Sequence, residues 1–196
     1  MKKFLSSVLI IIFMASPLWA EINDPESSVK KLLEEIRQIK APAGGPEEAD
    51  NQRHSQSALS FLNVAEISEK ALGKYWAKRS DSERENFQAL LSQLFVHVAF
   101  PSSAKFFAEL DLVYGKIKDG KNPVVVPLTV IHEKEGEVGI DFHLVQKGDK
   151  WQVVDVILDG VSMRNNLRSQ FYKVIAKNNF DELIRKMNKK LVAEKS

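Results

Sequence analysis

The sequence contains no cysteine. This absence excludes disulfide bonds, a thiolate metal site, a cysteine nucleophile and a lipoprotein anchor at a processed cysteine. An excess of one charge is also missing, because Lys and Arg total 28 and Asp and Glu total 26, and both extra positive charges, Lys2 and Lys3, lie at the N-terminus. Residues 21–196 are therefore neutral overall, which does not fit a general DNA- or RNA-binding protein.

Long apolar runs are missing too, apart from a short one at residues 4–14. It follows Met1-Lys2-Lys3 and precedes a segment that ends at Ala20. A basic start, a short apolar core and small residues at the end are typical of a secretory signal peptide, so we predict cleavage near Ala20. An uncleaved anchor is the alternative, although the run is short for a hydrocarbon core of about 30 Å. We expect residues 21–196 to form one exported domain.

Helical patterns fill the first half of this domain. Asp24 before Pro25 predicts a helix start, Asn63 predicts a second, and Ser80 with Glu83 forms a capping box. Apolar residues then recur at helical spacing. They are Val29, Leu32, Leu33, Ile36 and Ile39; Val64, Ile67, Ala71 and Leu72; and Phe87, Leu90, Leu91, Leu94, Phe95 and Val98. Residues 47–59 are polar and predict a short helix only weakly, and the last stripe is expected to end at Pro101.

Strand patterns follow at residues 112–117, 124–132, 138–146 and 151–158. Short turn signals separate them, at Asp119-Gly120, Glu135-Gly136 and Gly148-Asp149, so the strands are predicted to form an antiparallel meander. Because Pro127 has no N–H to donate, its strand is expected to lie at an edge or to be bulged. Helical spacing returns after Gly160. The prediction is an α+β fold with a mainly helical part at 21–107, a sheet at 108–162 and C-terminal helices at 163–196.

Several segments together resemble one known family. They are Ala71-Leu72-Gly73-Lys74-Tyr75-Trp76, residues 80–87, residues 151–156, Asp159-Gly160-Val161-Ser162-Met163 and Arg168-Ser169-Gln170-Phe171. In this order and spacing, over roughly residues 60–192, they resemble the MlaC family, the periplasmic phospholipid carriers of the maintenance-of-lipid-asymmetry pathway, also called toluene-tolerance proteins. Two departures are residues 95–101, where the family usually has a tyrosine-bearing turn, and Asp159, where it often has Glu.

The resemblance implies an NTF2-like curved antiparallel sheet with a helical subdomain, which together enclose an apolar pocket. It also implies a monomeric periplasmic carrier that holds a phospholipid by its acyl chains. Such a carrier shuttles the lipid between an outer-membrane lipoprotein–porin complex and an inner-membrane ABC transporter complex. No catalytic residue, metal, cofactor or nucleic acid is expected. A carrier of a hopanoid or another lipid with the same fold is an alternative.

The residues expected to line the pocket come from strand alternation and from the helical stripes. Ordinary core packing is the competing interpretation for every one of them. On the strands they are Val138, Ile140, Phe142 and Leu144, then Trp151, Val153 and Ile157, with Val161 continuing the second set. On the helices they are Leu72, Trp76, Phe87, Leu91 and Phe106.

Two groups of basic residues are candidates for polar contacts. Arg164 and Arg168 lie one helical turn apart, so they could meet a phosphate headgroup or a docking partner, although a solvated helix face is the simpler interpretation. The last helix carries a basic set, which is either a docking patch or a solvated surface. These residues are Arg185, Lys186, Lys189 and Lys190.

Two other classes of function compete with a carrier. Asp155 lies among apolar neighbours and is a candidate general base for an enzyme, but we interpret it as a hydrogen-bonded structural residue. Gly160 to Arg164 is not a G-x-S-x-G elbow, because Arg164 replaces the second glycine, and the four histidines lack the i, i+4 spacing of a metal site. A ligand-free secreted protein-binding module stays open, since a packed core uses the same residue types as a cavity.

Overall fold

The computed structural model describes residues 24–40, 46–118, 122–132 and 136–195. The predicted signal peptide, residues 1–20, lies outside the described residues, as do residues 41–45. Within these ranges the chain runs through helices, then an antiparallel sheet, then two further helices, so the predicted α+β fold is confirmed. No helix in the described part combines the length and the apolar character that a membrane span requires.

The helices and strands have the following bounds. The helices are α1 (Pro25–Gln38), α2 (Pro46–Ser60), α3 (Val64–Leu72), α4 (Asp81–Leu94), α5 (Phe100–Phe107), α6 (Met163–Lys177) and α7 (Phe180–Lys195). A 3-10 helix, Gly73–Lys78, follows α3, and a π-helical turn, Phe95–Ala99, joins α4 to α5. The strands are β1 (Asp111–Tyr114), β2 (Val124–His132), β3 (Gly136–Lys147), β4 (Lys150–Leu158) and β5 (Val161–Ser162).

Side-chain caps begin the helices where the sequence predicts. The Asp24 carboxylate accepts a hydrogen bond from the Ser27 N–H at 2.9 Å, and the Asn63 side chain accepts one from the Glu66 N–H at 3.2 Å. Both hydrogen bonds of the Ser80–Glu83 capping box are present. These caps satisfy backbone donors that have no partner within the first helical turn. The weakly predicted helix at 47–59 also forms, as α2.

The helix expected to end at Pro101 does not end there. It widens into the π-helical turn and continues as α5, with Pro101 in its first turn. In this turn the Phe100 N–H donates to the Phe95 carbonyl five residues back. A proline inside an α-helix lacks a donor and clashes with the carbonyl four residues earlier, so a wider turn immediately before it relieves both problems.

The sheet is an antiparallel meander in the order β1-β2-β3-β4-β5, which confirms the predicted topology. The prediction that the strand of Pro127 lies at an edge or is bulged is wrong, because β2 lies between β1 and β3 and its register with both strands is continuous. Instead β1 stops at Tyr114, which pairs with Leu128, and the Pro127 carbonyl accepts from Gly115 just past the end of β1. The missing N–H of Pro127 therefore faces the point where pairing with β1 ends, so no backbone hydrogen bond is lost from the middle of the sheet.

A bulge in β4 changes which of its side chains face the core. Leu144 pairs with Val153, but His143 pairs with Asp155, so Val154 is an extra residue. Such a residue reverses the alternation of faces beyond it. The concave face is the side of the sheet that packs against α1 and α5 in the hydrophobic core. Val153 therefore shares the concave face with Val156 and Leu158, whereas Ile157 pairs with Asp141 on the outer face. The prediction that Ile157 shares a face with Trp151 and Val153 is wrong for this reason.

The described side chains form two hydrophobic clusters. The first, here the sheet cluster, joins the concave face of the sheet to α1, α5 and the end of α2. The second, here the helical cluster, lies between α3, α4, α6 and α7. The buried members of the helical cluster are Ile67, Ala71, Leu72, Phe87, Leu90, Leu91, Phe171, Phe180, Leu183 and Met187.

Candidate functional site

The boundary between the two clusters is the candidate ligand-binding region. Among the described residues, half-buried Leu62 and Phe95 pack against both clusters. Leu62 is fixed in place because the neighbouring backbone pairs with β4: the Val153 N–H donates to Phe61, and the Asn63 N–H donates to Val153. Phe95 begins the π-helical turn, an irregularity that occurs frequently at functional sites. An apolar wall thus lies on each side of a boundary that Leu62 and Phe95 mark.

The sheet cluster supplies the first wall. Ile140, Phe142, Leu144 and Val153 are buried in it, and Val138 and Trp151 pack against it half-buried. The predicted shared face of Val138, Ile140, Phe142 and Leu144 is therefore confirmed, whereas their contact with a lipid stays a prediction. Opposite them lie side chains of α1 and α5. These are Val29, Leu32, Leu33, Ile36, Phe100, Ala104 and Phe107.

The helical cluster supplies the second wall. It contains four of the predicted helical lining residues, namely Leu72, Trp76, Phe87 and Leu91. The Phe87 ring lies edge-on to Phe171, with 5.6 Å between ring centroids, and 6.3 Å from Phe180. The predicted strand and helix residues therefore do not meet in one cluster, but belong to two clusters that both contact Leu62 and Phe95.

Two predicted lining residues lie at the surface. Val161 is 54% exposed, although its strand partner Leu158 packs against the sheet cluster, so it lies at the rim of the concave face. Phe106 is 37% exposed and its ring packs edge-on against Phe107. Neither residue is enclosed, because β5 is only two residues long and Phe106 lies on the outward side of α5.

Asp155 holds the start of α6 against β4. It is 5% exposed, and its Oδ1 accepts from the Val156 N–H at 2.9 Å and the Arg164 N–H at 3.0 Å. Its Oδ2 accepts from Ser162 Oγ at 2.6 Å and lies 3.5 Å from Arg164 Nη2. Ser162 also caps α6 by accepting from the Asn165 N–H. Both carboxylate oxygens are engaged by structural donors, which supports a structural role rather than that of a general base.

Arg164 and Arg168 both have protein acceptors. Arg164 Nη1 donates to the Val154 carbonyl at 3.3 Å, and Arg168 Nε donates to the Lys70 carbonyl near the end of α3 at 2.8 Å. The Tyr172 hydroxyl accepts from the Lys74 N–H at 2.9 Å and adds a third tie to the same region. These contacts favour a role in holding α6 against β4 and α3, and a headgroup role for either arginine stays a prediction.

A polar surface cleft of about 570 Å³ lies beside α3 and the end of β3. Carboxylates from Glu66 and Glu69 and ammonium groups from Lys70 and Lys147 line it, and Trp76 reaches its wall. Charges of both signs alternate, so the cleft selects no single ligand chemistry. Within the described ranges, no group of three or more His, Asp or Glu side chains is arranged to hold a metal ion.

Four residues of the candidate site are not predicted from the sequence. Leu62 and Phe95 lie at the boundary between the clusters, and Val156 and Leu158 lie on the concave face. Leu62 follows Phe61 directly before the Asn63 cap, and an apolar pair in a connection is a usable signal. Phe95 belongs to a predicted helical stripe, which by itself does not distinguish core from site. Simple alternation from Val153 puts Val156 and Leu158 on the opposite face, because a bulge has no sequence signature here.

Comparisons with known proteins agree with this architecture. A family model described as MlaC protein matches residues 26–189. The structure of a phospholipid-binding protein from Ralstonia solanacearum, solved in complex with a phospholipid, is similar to this fold with a TM-score of 0.70 and 18% sequence identity. The superposition covers 88% of this chain and 99% of that chain. At this level of identity the likeness shows the fold alone. No curated protein matches the chain.

Proposed function

The chain belongs to the MlaC family, and on that premise we propose that it is a carrier that binds a phospholipid by its acyl chains. The family match over residues 26–189 carries the proposal. The Ralstonia solanacearum protein of similar fold, which holds a phospholipid, supports it. The two apolar walls on either side of Leu62 and Phe95 supply a place where the chains would bind.

The proposed task depends on burying hydrocarbon. A phospholipid with two acyl chains has roughly 30 methylenes, and each contributes about 0.8 kcal/mol when it leaves water, on the order of 24 kcal/mol in all. Unassisted transfer through an aqueous compartment is negligible at that cost. A carrier therefore needs apolar walls for the tails and an exit for the polar headgroup, and it needs no catalytic group.

We place the acyl chains between the sheet cluster and the helical cluster. No buried residue belongs to both clusters, and among the described residues only the half-buried Leu62 and Phe95 pack against both, so the contact across this boundary is smaller than the contact within either cluster. Separating the clusters exposes aliphatic side chains that acyl chains can cover in turn. The π-helical turn lies at the joint between α4 and α5, where a change of angle costs fewer regular hydrogen bonds than inside an α-helix.

The wider context of the carrier is part of the same proposal. We place it in the periplasm, after removal of residues 1–20, as a monomer that passes lipid between an outer-membrane lipoprotein–porin complex and an inner-membrane ABC transporter complex. Family membership supports this context. A hopanoid in place of a phospholipid would use the same apolar walls.

Native mass spectrometry of the purified protein tests the proposal. We expect the folded protein to carry one additional mass that matches a phospholipid. A hopanoid mass would change the lipid class and keep the carrier. Protein that purifies without lipid, and that also fails to load from phospholipid vesicles, would contradict the carrier and favour a ligand-free binding module.

A pair of matched variants tests where the lipid binds. Val138→Glu places a carboxylate on the concave face, where it would be buried among acyl chains, and we expect lipid loading to fall at least about 10-fold because burying an unpaired charge costs several kcal/mol. Val113→Glu is the control, because Val113 is 52% exposed on the opposite face. Equal loading of both folded variants would place the lipid elsewhere.

A further inference from the structure

Charge is divided unequally along residues 21–196, which are neutral overall. Residues 163–196 contain nine Lys and Arg against three Asp and Glu, a net charge of +6, whereas residues 21–162 contain 17 against 23, a net charge of −6. The positive part is the pair of helices α6 and α7 with the last residue, and the negative part is the rest of the exported domain. The overall neutrality therefore conceals two regions of opposite charge.

The positive charge of α6 and α7 lies on their outward sides. Phe171, Phe180, Leu183 and Met187 turn inward into the helical cluster. The exposed basic side chains of the two helices are Lys173, Lys177, Arg185, Lys186, Lys189 and Lys190. Arg185 is bound by Glu182 through two contacts of 2.7 Å, so the lysines dominate the net charge of this surface.

We propose that the outward side of α6 and α7 is a docking surface for an anionic lipid bilayer. Each Lys or Arg near such a surface contributes attraction of similar size, without a need for paired geometry. Lysine is a compact, hydrated point charge, which fits an array of mobile headgroups better than a fixed carboxylate pair. Protein interfaces are instead depleted in lysine and enriched in aromatic residues.

Two further features agree with a membrane as the partner. The exposed residues of α7 include no aromatic side chain, while Val192, at its C-terminal end, is 65% exposed among the lysines. The net charge of −6 on residues 21–162 is repelled by an anionic surface, so the attraction also orients the molecule with α6 and α7 toward the bilayer. Docking of this kind is independent of the proposed lipid carriage.

Vesicle flotation tests the docking surface. The probes are phosphatidylcholine vesicles and vesicles in which about a quarter of the lipid is phosphatidylglycerol. Each lysine near an anionic surface strengthens vesicle binding by about fivefold, so the two kinds of vesicle should differ clearly. We expect the full exported chain to float with the anionic vesicles and to be released as salt shortens the Debye length. Equal flotation with both kinds of vesicle, or flotation that ignores salt, overturns the proposal.

Matched triple variants locate the effect. Lys173→Gln, Lys186→Gln and Lys189→Gln together remove three exposed charges from α6 and α7, and we expect binding to anionic vesicles to weaken on the order of 100-fold. The control triple, Lys105→Gln, Lys116→Gln and Lys150→Gln, removes the same charge from exposed sites on the negative region and should stay within about threefold of the unaltered protein. Equal losses in the two triples would mean that only total charge matters, and would overturn the proposal.

Two more measurements separate other outcomes. Both triples should keep the helical circular dichroism and the phospholipid loading of the unaltered protein, so a failure of carriage is distinguishable from a failure of docking. Soluble polyglutamate serves as a probe for acidic protein partners. Lysine-dependent binding of polyglutamate without any preference for anionic vesicles would overturn a membrane partner and assign the surface to a protein.

Discussion

The two hydrophobic clusters are built differently. In the helical cluster the Phe87 ring packs at defined angles against both Phe171 and Phe180, and the Arg79 guanidinium lies 4.8 Å from the centroid of Phe180. The sheet cluster consists mostly of Val, Leu and Ile from β2, β3 and α1. Aromatic pairs prefer particular geometries, whereas aliphatic side chains pack without directional preference. We infer that the helical cluster maintains the shape of the molecule and that the sheet cluster adapts to hydrocarbon.

Hydrogen bonds strengthen this contrast. The ties from Asp155 to Arg164, from Arg168 to Lys70 and from Tyr172 to Lys74 all attach α6, which belongs to the helical cluster. Against the sheet cluster, α5 is tied to α1 by the guanidinium of Arg37, which donates to the carbonyls of Phe107 and Leu110. Directional ties around one cluster and mainly apolar contacts around the other lead to different responses to mutation.

The largest effect is expected in the helical cluster. Phe87→Ala removes a ring that is 0% exposed, and we expect the free energy of unfolding to fall by about 3–5 kcal/mol, measured by urea denaturation of lipid-free protein. Phe106→Ala is the control, because that ring is 37% exposed and its removal should cost less than about 1 kcal/mol. Similar losses of unfolding free energy for the two variants would show that buried Phe87 contributes no more to stability than exposed Phe106.

A cavity in the sheet cluster should depend on lipid. Leu144→Ala removes a fully buried side chain, and we expect a loss of about 2–4 kcal/mol in the lipid-free protein. In the loaded protein an acyl chain can occupy part of the space, so the loss should fall to about half or less. Urea denaturation of both forms gives the two values, and Phe87→Ala is the comparison whose loss should not change with lipid. An identical loss for Leu144→Ala in both forms would contradict an adaptable sheet cluster.

The tie at the start of α6 should contribute less. Asp155→Asn places amide hydrogens against the donors of Ser162 and Arg164, and we expect a loss of about 2 kcal/mol in the free energy of unfolding. Asp141→Asn is the matched control on the adjacent strand, because its contact with Lys118 at 3.3 Å is at the surface and contributes at most about 1 kcal/mol. An unfolding energy unchanged by Asp155→Asn would show that the network around it is dispensable.

The smallest effect concerns pH. Partial burial raises the pKa of Glu35, but hydrogen bonds from His54 and Ser57 outweigh it and hold the pKa below its usual 4.5. Because the folded value is the lower one, this stabilisation is present above pH 4.5 and is lost as the pH falls through the folded pKa. We expect Glu35→Gln to reduce the acid sensitivity of unfolding by less than about 1 kcal/mol, measured by urea titrations across this range. Unchanged acid sensitivity in Glu35→Gln would contradict the role of this contact between α1 and α2.

Sequence patterns predict most of the fold because capping and alternation are local. Asp24, Asn63 and Ser80 each sit next to the backbone donors that they satisfy, so their roles are visible in a few residues. The bulge at Val154 is not visible, because it depends on how β4 meets β3 and the backbone beside Leu62. The face predicted for Ile157 is wrong for that reason.

The candidate site was predicted only in part. Alternation identified the concave face through Ile140, Phe142 and Leu144, but no local pattern shows that Phe87 and Leu91 belong to a different cluster. The sequence does not show that Arg164 and Arg168 already have protein acceptors, because the carbonyls of Val154 and Lys70 lie on other elements of the fold. Assignments that depend on contacts between elements require the three-dimensional structure.

The turn at Phe95–Ala99 makes α4 and α5 parts of one rod with an end in each cluster. The rod spans residues 81–107 and is about 40 Å long at the usual rise per residue. A tilt of about 10° at the turn moves the far end of α5, roughly 12 Å away, by about 2 Å. The same geometry acts in the other direction: under the proposed function, an acyl chain that displaces Phe107 would also change the angle of α4.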